Sequence, residues 1–348
     1  MRYREIVVEG TPKELGRQIG EAARDEVRGF CQVALARVQR TVDISSEKAM
    51  SIANKCIDLA RRYSSDMIDE LEGTAEAAGI SLADLMLLQV RNQFTNEPES
   101  GCTSLAVARS EDGTVVAQNW DNDPALDEFT VVLTRRPTGK PALTTLTQAG
   151  LISYIGFNDA GIGACLNTLP APSRAIGVPH YFTLRGIYES DSLDSGVGAV
   201  KRAERAIPAN IMLATPQGPA DLEITIDDVH VLRDENSGCV THTNHCLHPD
   251  LEPINADFPE LIQSQPRKRR VDELLETAGR SSDVNAIKHI LSDHENYPTS
   301  ICRHQNNDPE TGFWQTVFSV IIEPQAKQMH VARGTPCDHP FETYRMCG

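Results

Sequence analysis

The chain has 348 residues, 40% of them hydrophobic, and a net charge of −16 at pH 7. It is therefore long enough to bury a substantial core, and its charge argues against nucleic-acid and anionic-membrane partners. Nine scattered cysteines, odd in number and without a C-x-x-C pair, argue against a disulfide framework and for a reducing cytoplasm. The start, MRYREIVVEGTPKEL, has no apolar signal core, and no later stretch approaches the roughly 18 apolar residues needed to span a bilayer.

In chain order, Tyr3 to Glu9 reads as a strand ended by Gly10, and Thr11-Pro12 opens a helix running to about residue 39. Further helices are expected over 46–63, 65–78 and 81–94, with Gly79 stopping the second of these and Ser81 capping the last. From residue 101 the period changes. Strands are expected at 104–109, 114–121, 128–136, 142–149, 152–157 and 161–167, the first two joined by a Ser110-Glu111-Asp112-Gly113 turn. Helical spacing returns from Tyr181 to Ile207, interrupted near Ser192 to Ser195. Strands follow at 210–215, 221–226, 229–233 and 238–243, helices at 258–279 and 283–292, and a last hairpin at 313–323 and 328–333. Such dense antiparallel strands predict sheet layers covered by helices, an α+β fold.

The chemistry concentrates at Gly101-Cys102-Thr103-Ser104 and the paired Gln118-Asn119-Trp120-Asp121. If the Gly101–Cys102 bond were cut, Cys102 would carry a thiol and a free α-amine, a nucleophile with its own base. An amine near pKa 7.7 to 8 beside a thiol near about 8.5 suits proton transfer at neutral pH. Glycine before the cysteine leaves room for the backbone geometry of thiol attack on its carbonyl. The alternative is an inert buried cysteine at a strand start.

The junction GCTS, a Gly-containing turn and QNWD together resemble the self-processing site of the isopenicillin N acyltransferase family. Its members are autoproteolytic N-terminal-nucleophile acyltransferases and hydrolases. The segments ELGRQIGEAAR and ELEGTAEAAGISLADLMLLQ resemble the family's short chain. The resemblance implies a four-layer αββα sandwich, cleaved into a short chain 1–101 and a long catalytic chain 102–348 that stay associated as one structural domain. Just before the junction, Arg91 keeps the family's arginine, whereas Gln93 stands where relatives often carry a glutamate. Gln118 stands where the sister bile-salt hydrolases carry arginine.

The resemblance also implies roles for three residues beyond Gly101 and Cys102. Asp121 would hold or orient the new α-amine, with a turn-initiating aspartate as the alternative. Asn244, in Cys239-Val240-Thr241-His242-Thr243-Asn244-His245, would aim its amide into an oxyanion hole, where one such donor is worth about 3–4 kcal/mol. Arg303 would lie near the nucleophile and depress its pKa, or else sit on the surface. The implied activity is amide hydrolysis on a small molecule through a thioester acyl-enzyme. The alternatives are a coenzyme-A-dependent N-acyltransferase, and a non-catalytic or zinc protein using Cys239, His242, His245, Cys246 and His248.

On a strand those five soft ligands would diverge, so no metal is assigned. The basic run Pro266-Arg267-Lys268-Arg269-Arg270 reads as a solvated helix start. No glycine pattern supports a nucleotide, so no cofactor is assigned, and self-association is left open.

Overall fold

A computed structural model describes residues 2–39, 42–94, 101–109, 113–234, 236–279, 283–309 and 312–346. The expected 110–113 turn falls largely outside them, as does Cys347. Alternating apolar residues build two sheets. One has eight strands: β1 (Glu5–Gly10), β4 (Thr130–Pro137), β5 (Leu143–Gln148), β6 (Ile155–Asn158), β7 (Gly163–Asn167), β8 (Ala209–Thr215), β9 (Gly218–Ile224) and β10 (Val229–Leu232), in that spatial order. The other has six, ordered β11 (Cys239–His242), β2 (Gly101–Arg109), β3 (Gly113–Asn122), β12 (Gln315–Glu323), β13 (Gln328–Arg333) and β14 (Phe341–Arg345).

The sheets stack face to face, with β2 and β3 against β7, β8 and β9. Outside the larger sheet lie α1 (Pro12–Ala22), α2 (Arg24–Val38), α3 (Ser46–Tyr63), α4 (Ser65–Ala78), α5 (Leu82–Val90), α6 (His180–Tyr188) and α7 (Leu193–Lys201). Outside the smaller one lie α8 (Ser264–Ala278) and α9 (Val284–Leu291). The layers are αββα, as the resemblance implies. No helix among the described residues is long and apolar enough to cross a membrane.

Several boundaries differ from the sequence expectation; the helical spacing expected to reach Ile207 ends at Lys201, for example. The first long helix breaks at Ala23, whose backbone (φ −117°, ψ 33°) leaves the helical region and lets α1 and α2 pack on different partners. There α1 lies close on α4: a side chain at Gly16 would collide with the Glu70 backbone. The helix expected from 258 begins only at Ser264, because Ile262 and Gln263 both hold positive φ (43° and 51°). The strand Phe341–Arg345 is a short, half-exposed edge pairing with β13, too brief and polar to stand out by alternation.

Residues 2–94 are bound to the remainder by more than apolar packing. Strand β1 joins β4 in parallel, from Glu5 opposite Val132 to Gly10 opposite Pro137. On α4, buried Glu70 accepts from Arg135 Nε (2.7 Å) and Arg185 Nη1 (3.1 Å), both guanidinium groups being buried as well. Removing one member of such a buried pair strands its partner's charge. Glu70→Gln is therefore expected to destabilise the fold by about 3–5 kcal/mol in chemical denaturation; a change below about 1 kcal/mol would show that this triad is not a principal anchor.

Candidate active site

Strand parity divides the junction's groups between two faces. Directly paired residues share a face, so Cys102 and its partner Trp120 look inward to the larger sheet, while Gly101 and its partner Asp121 look toward α8. The cores agree: Cys102, Ala106, Val116 and Trp120 belong to the main cluster, whereas Leu105, Val107, Val115 and Ala117 pack with Val271 and Leu275 of α8.

On the inner face the Cys102 thiol is buried and donates to the Leu166 carbonyl at 3.7 Å. Gln118 Nε2 donates to the same carbonyl at 2.8 Å and to Asn167 Oδ1 at 2.5 Å, and Asn167 Nδ2 in turn reaches Ser104 Oγ and the Thr243 carbonyl. Trp120 stacks on Phe318 and meets Tyr154 edge-on, with Tyr181 beyond, so the thiol sits beside an aromatic wall. Burial pushes the thiol's pKa far above its ordinary value; Asp121 adds to this, and Arg267 opposes it. Burial and the hydrogen bond donated to Leu166 O both favour the thiol over the thiolate.

The backbone of Cys102 is held on both sides. Strand β11 pairs with β2 from Cys239 opposite Val107 to His242 opposite Ser104, so continuing the register brings Asn244 level with Cys102. Asn244 Oδ1 accepts from Cys102 N at 2.9 Å and from Arg267 Nη2 at 2.8 Å. Two donors converging there identify that atom as the oxygen. Its Nδ2 donates to the Thr168 carbonyl at 3.0 Å, so the amide N–H expected at an oxyanion is engaged elsewhere.

Arg267 is the residue that sequence reasoning missed. Rather than lying on a solvated helix start, it is buried, and its Nη1 donates to the Cys102 carbonyl (2.5 Å) and Thr103 Oγ1 (2.9 Å) while its Nε donates to the Ile262 carbonyl (2.9 Å). The signal was present in the spacing. Residues 267, 271 and 275 fall four apart on one helical stripe, and Val271 and Leu275 are core. The head of α8 is fastened to the Asn244 loop by Ser264, whose hydroxyl accepts from Asn244 N at 2.8 Å and lies 2.9 Å from Thr243 Oγ1. The two left-handed residues before α8 complete the cover: Ile262 lies so close to Gly101 that any side chain there would collide with it.

Asp121 is fully buried, with Oδ1 accepting from Thr316 Oγ1 at 2.7 Å and Oδ2 without a hydrogen-bond partner. Burial raises its pKa, against the pull of Arg267, Thr316 and Arg303. Arg303 is buried as well: its Nη1 donates to Gln263 Oε1 at 2.9 Å and its Nε has no partner. Two guanidinium groups thus face one carboxylate in the buried shell, and of the two Arg267 draws the thiol's pKa down without offsetting burial and Asp121.

The five ligands of the zinc alternative do not converge. Cys239 Sγ donates to Ser237 O and Cys246 Sγ to Pro170 O. His242 lies between the Thr243 carbonyl (Nδ1, 2.9 Å) and Glu223 Oε1 (Nε2, 2.8 Å). Both partners accept, so both ring nitrogens carry hydrogen and His242 is an imidazolium. Burial opposes that charge, but Asp221 and Glu223 outweigh it and raise the pKa. Glu223 also accepts from Leu247 N and His248 N, so the ion pair fixes the loop that carries Asn244.

Replacing Arg267 by methionine keeps much of its bulk and removes every donor. If the Gly101–Cys102 bond is cut by its own cysteine, fragment formation over time is expected to slow by about a hundredfold, the order of loss when a reacting group is misplaced by about 1 Å; an unchanged rate would make Arg267 purely structural.

Comparison with known proteins places the chain in a family. A curated relative, the acyl-coenzyme A:6-aminopenicillanic-acid-acyltransferase 40 kDa form of Emericella nidulans, is 27% identical over 349 aligned positions, covering 98% of this chain and 95% of the relative. Among solved structures, a mutant conjugated bile acid hydrolase from Clostridium perfringens aligns with a TM-score of 0.47 at 13% identity, over 71% of this chain and 97% of that one. Penicillin V acylase from Agrobacterium tumefaciens aligns with a TM-score of 0.45 at 11% identity, over 67% and 83%. The family model described as acyl-coenzyme A:6-aminopenicillanic acid acyl-transferase matches residues 108–338. With Cys102, Asp121 and Asn244 gathered as above and that model spanning most of its length, the chain belongs to the acyl-coenzyme A:6-aminopenicillanic acid acyl-transferase family.

Proposed function

We propose that this protein is a self-processing cysteine hydrolase that cuts itself between Gly101 and Cys102 and then cleaves a non-peptide amide bond of a small molecule through a thioester on Cys102. The observation that carries this reading is the clamped, buried junction. Asn244 holds the Cys102 nitrogen, Arg267 holds its carbonyl, and Asp121 presents an unpartnered carboxylate oxygen in the same buried shell.

In the first stage Cys102 Sγ attacks the Gly101 carbonyl carbon and the C–N bond breaks. The nitrogen takes up a proton as the α-amine, and water hydrolyses the resulting thioester, leaving a Gly101 carboxylate and a free thiol. In the second stage the α-amine accepts the thiol proton as Sγ attacks the substrate's acyl carbon. The same proton passes to the departing amine. Asp121 positions the α-amine, Arg303 adds positive potential, and a backbone amide with Asn244 Nδ2, released from Thr168, receives the oxyanion. Water then hydrolyses the acyl-enzyme.

A second reading is supported by the relative's name and the family description: a coenzyme-A thioester donates the acyl group and an amine accepts it. The two readings share every residue and differ in what attacks the thioester. Residues 1–101 stay bound through the β1–β4 ladder and the Glu70 triad. No disulfide joins any of the eight described cysteines, which supports a reducing, cytoplasmic setting.

Acid quenching during turnover of small aliphatic amides or acyl-coenzyme-A thioesters, followed by peptide mass analysis, tests the shared step. An acyl adduct is expected on Cys102 at the N-terminus of the long chain, and added amine should divert product from free acid to amide if transfer dominates. Turnover with Cys102 unmodified, or with acylation at another cysteine, would contradict the proposal.

A further inference from the structure

Away from the junction, the loop after α9 and the loop after β13 bring four soft donors together. His294, Cys302, His304 and Cys337 place two imidazole nitrogens and two sulfurs all within 4.8 Å of one another. His304 Nε2 is 3.1 Å from His294 Nε2, 3.5 Å from Cys302 Sγ and 3.5 Å from Cys337 Sγ. One imidazole nitrogen offers a single hydrogen or a single lone pair, so hydrogen bonding does not account for three such neighbours. A shared cation does. With Zn–N near 2.0–2.1 Å and Zn–S near 2.3 Å, a tetrahedron has N···N edges of about 3.3 Å and N···S edges of about 3.5 Å.

We propose that His294, Cys302, His304 and Cys337 form a Cys2His2 structural zinc site. Four protein ligands close the coordination sphere, so the ion holds structure and takes no substrate. Binding balances as one Zn²⁺, two thiols and two neutral imidazoles giving the tetrahedral complex and two released protons. The ligand types exclude hard cations such as Mg²⁺ and Ca²⁺, which take oxygen.

The site ties the loop entering β12 to the loop leaving β13, fastening both ends of that hairpin at one point. Arg303, whose guanidinium reaches the buried shell around Asp121, lies between two of the ligands. On the same loop, Asp293 accepts from Arg270 of α8 at 3.1 and 2.8 Å, so the zinc loop also braces the helix that carries Arg267.

The test is metal analysis of the full chain purified under reducing conditions without chelator. One zinc per chain is expected, and cobalt(II) exchanged into the metal-free protein should give tetrahedral visible bands with thiolate charge transfer. His294→Ala and Cys337→Ser alter exposed positions, and each should weaken zinc retention by more than about a hundredfold, beyond the 10–100-fold typical of outer-shell partners. Three results would overturn the proposal. One is a reduced protein that takes up no zinc on dialysis against zinc sulfate; another is undiminished zinc in the double variant. The third is a Cys302–Cys337 disulfide, seen as a mass deficit of two hydrogen atoms in the unreduced peptide. The cobalt spectrum of the unaltered chain decides the matter should either variant fail to fold.

Discussion

The structure around the junction depends on one buried guanidinium. Arg267 reaches the Cys102 carbonyl, the Thr103 hydroxyl, the Asn244 side-chain oxygen and the Ile262 carbonyl, joining β2, the loop after β11 and the strained entry to α8. Burying such a charge is costly unless its donors are satisfied. Each contact therefore restricts the others: Asn244 must present oxygen, α8 must begin where it does, and Ile262 is drawn down on Gly101.

Strand parity supplies the second constraint. A cysteine and an aspartate on a single face would bring the carboxylate still closer to a thiol that burial and Asp121 already hold protonated. With Cys102 looking inward and Asp121 outward, the carboxylate instead lies on the α8 side of the junction backbone, from which the α-amine would be released. The aromatic wall of Trp120, Tyr154 and Tyr181 then lines the thiol's face with apolar surface.

Much of this was legible from local pattern. Alternation located the β2–β3 hairpin and so brought the end of β3 back toward Cys102, whereas Asn244 was marked by the family resemblance. Arg267 did not stand out, because a run of basic residues at a helix start resembles a solvated face; only its place on the Val271–Leu275 stripe marks it as inward. Arg303 was legible as a candidate, but not its partner Gln263, which depends on a left-handed turn that the sequence does not announce. The His294, Cys302, His304 and Cys337 cluster had no linear signature at all, since a β-hairpin intervenes between its third and fourth members. Pairing across folded loops is the information that periodicity omits.

The central claim is that the clamped Gly101–Cys102 bond is broken by its own cysteine. Denaturing intact-mass analysis with N-terminal sequencing, applied to the purified protein and to Cys102→Ala, tests it most directly. Two fragments, the larger beginning Cys-Thr-Ser-Leu, beside an uncut alanine variant are the predicted result. A chain that stays whole on prolonged incubation, or an alanine variant cut at the same bond, would contradict it.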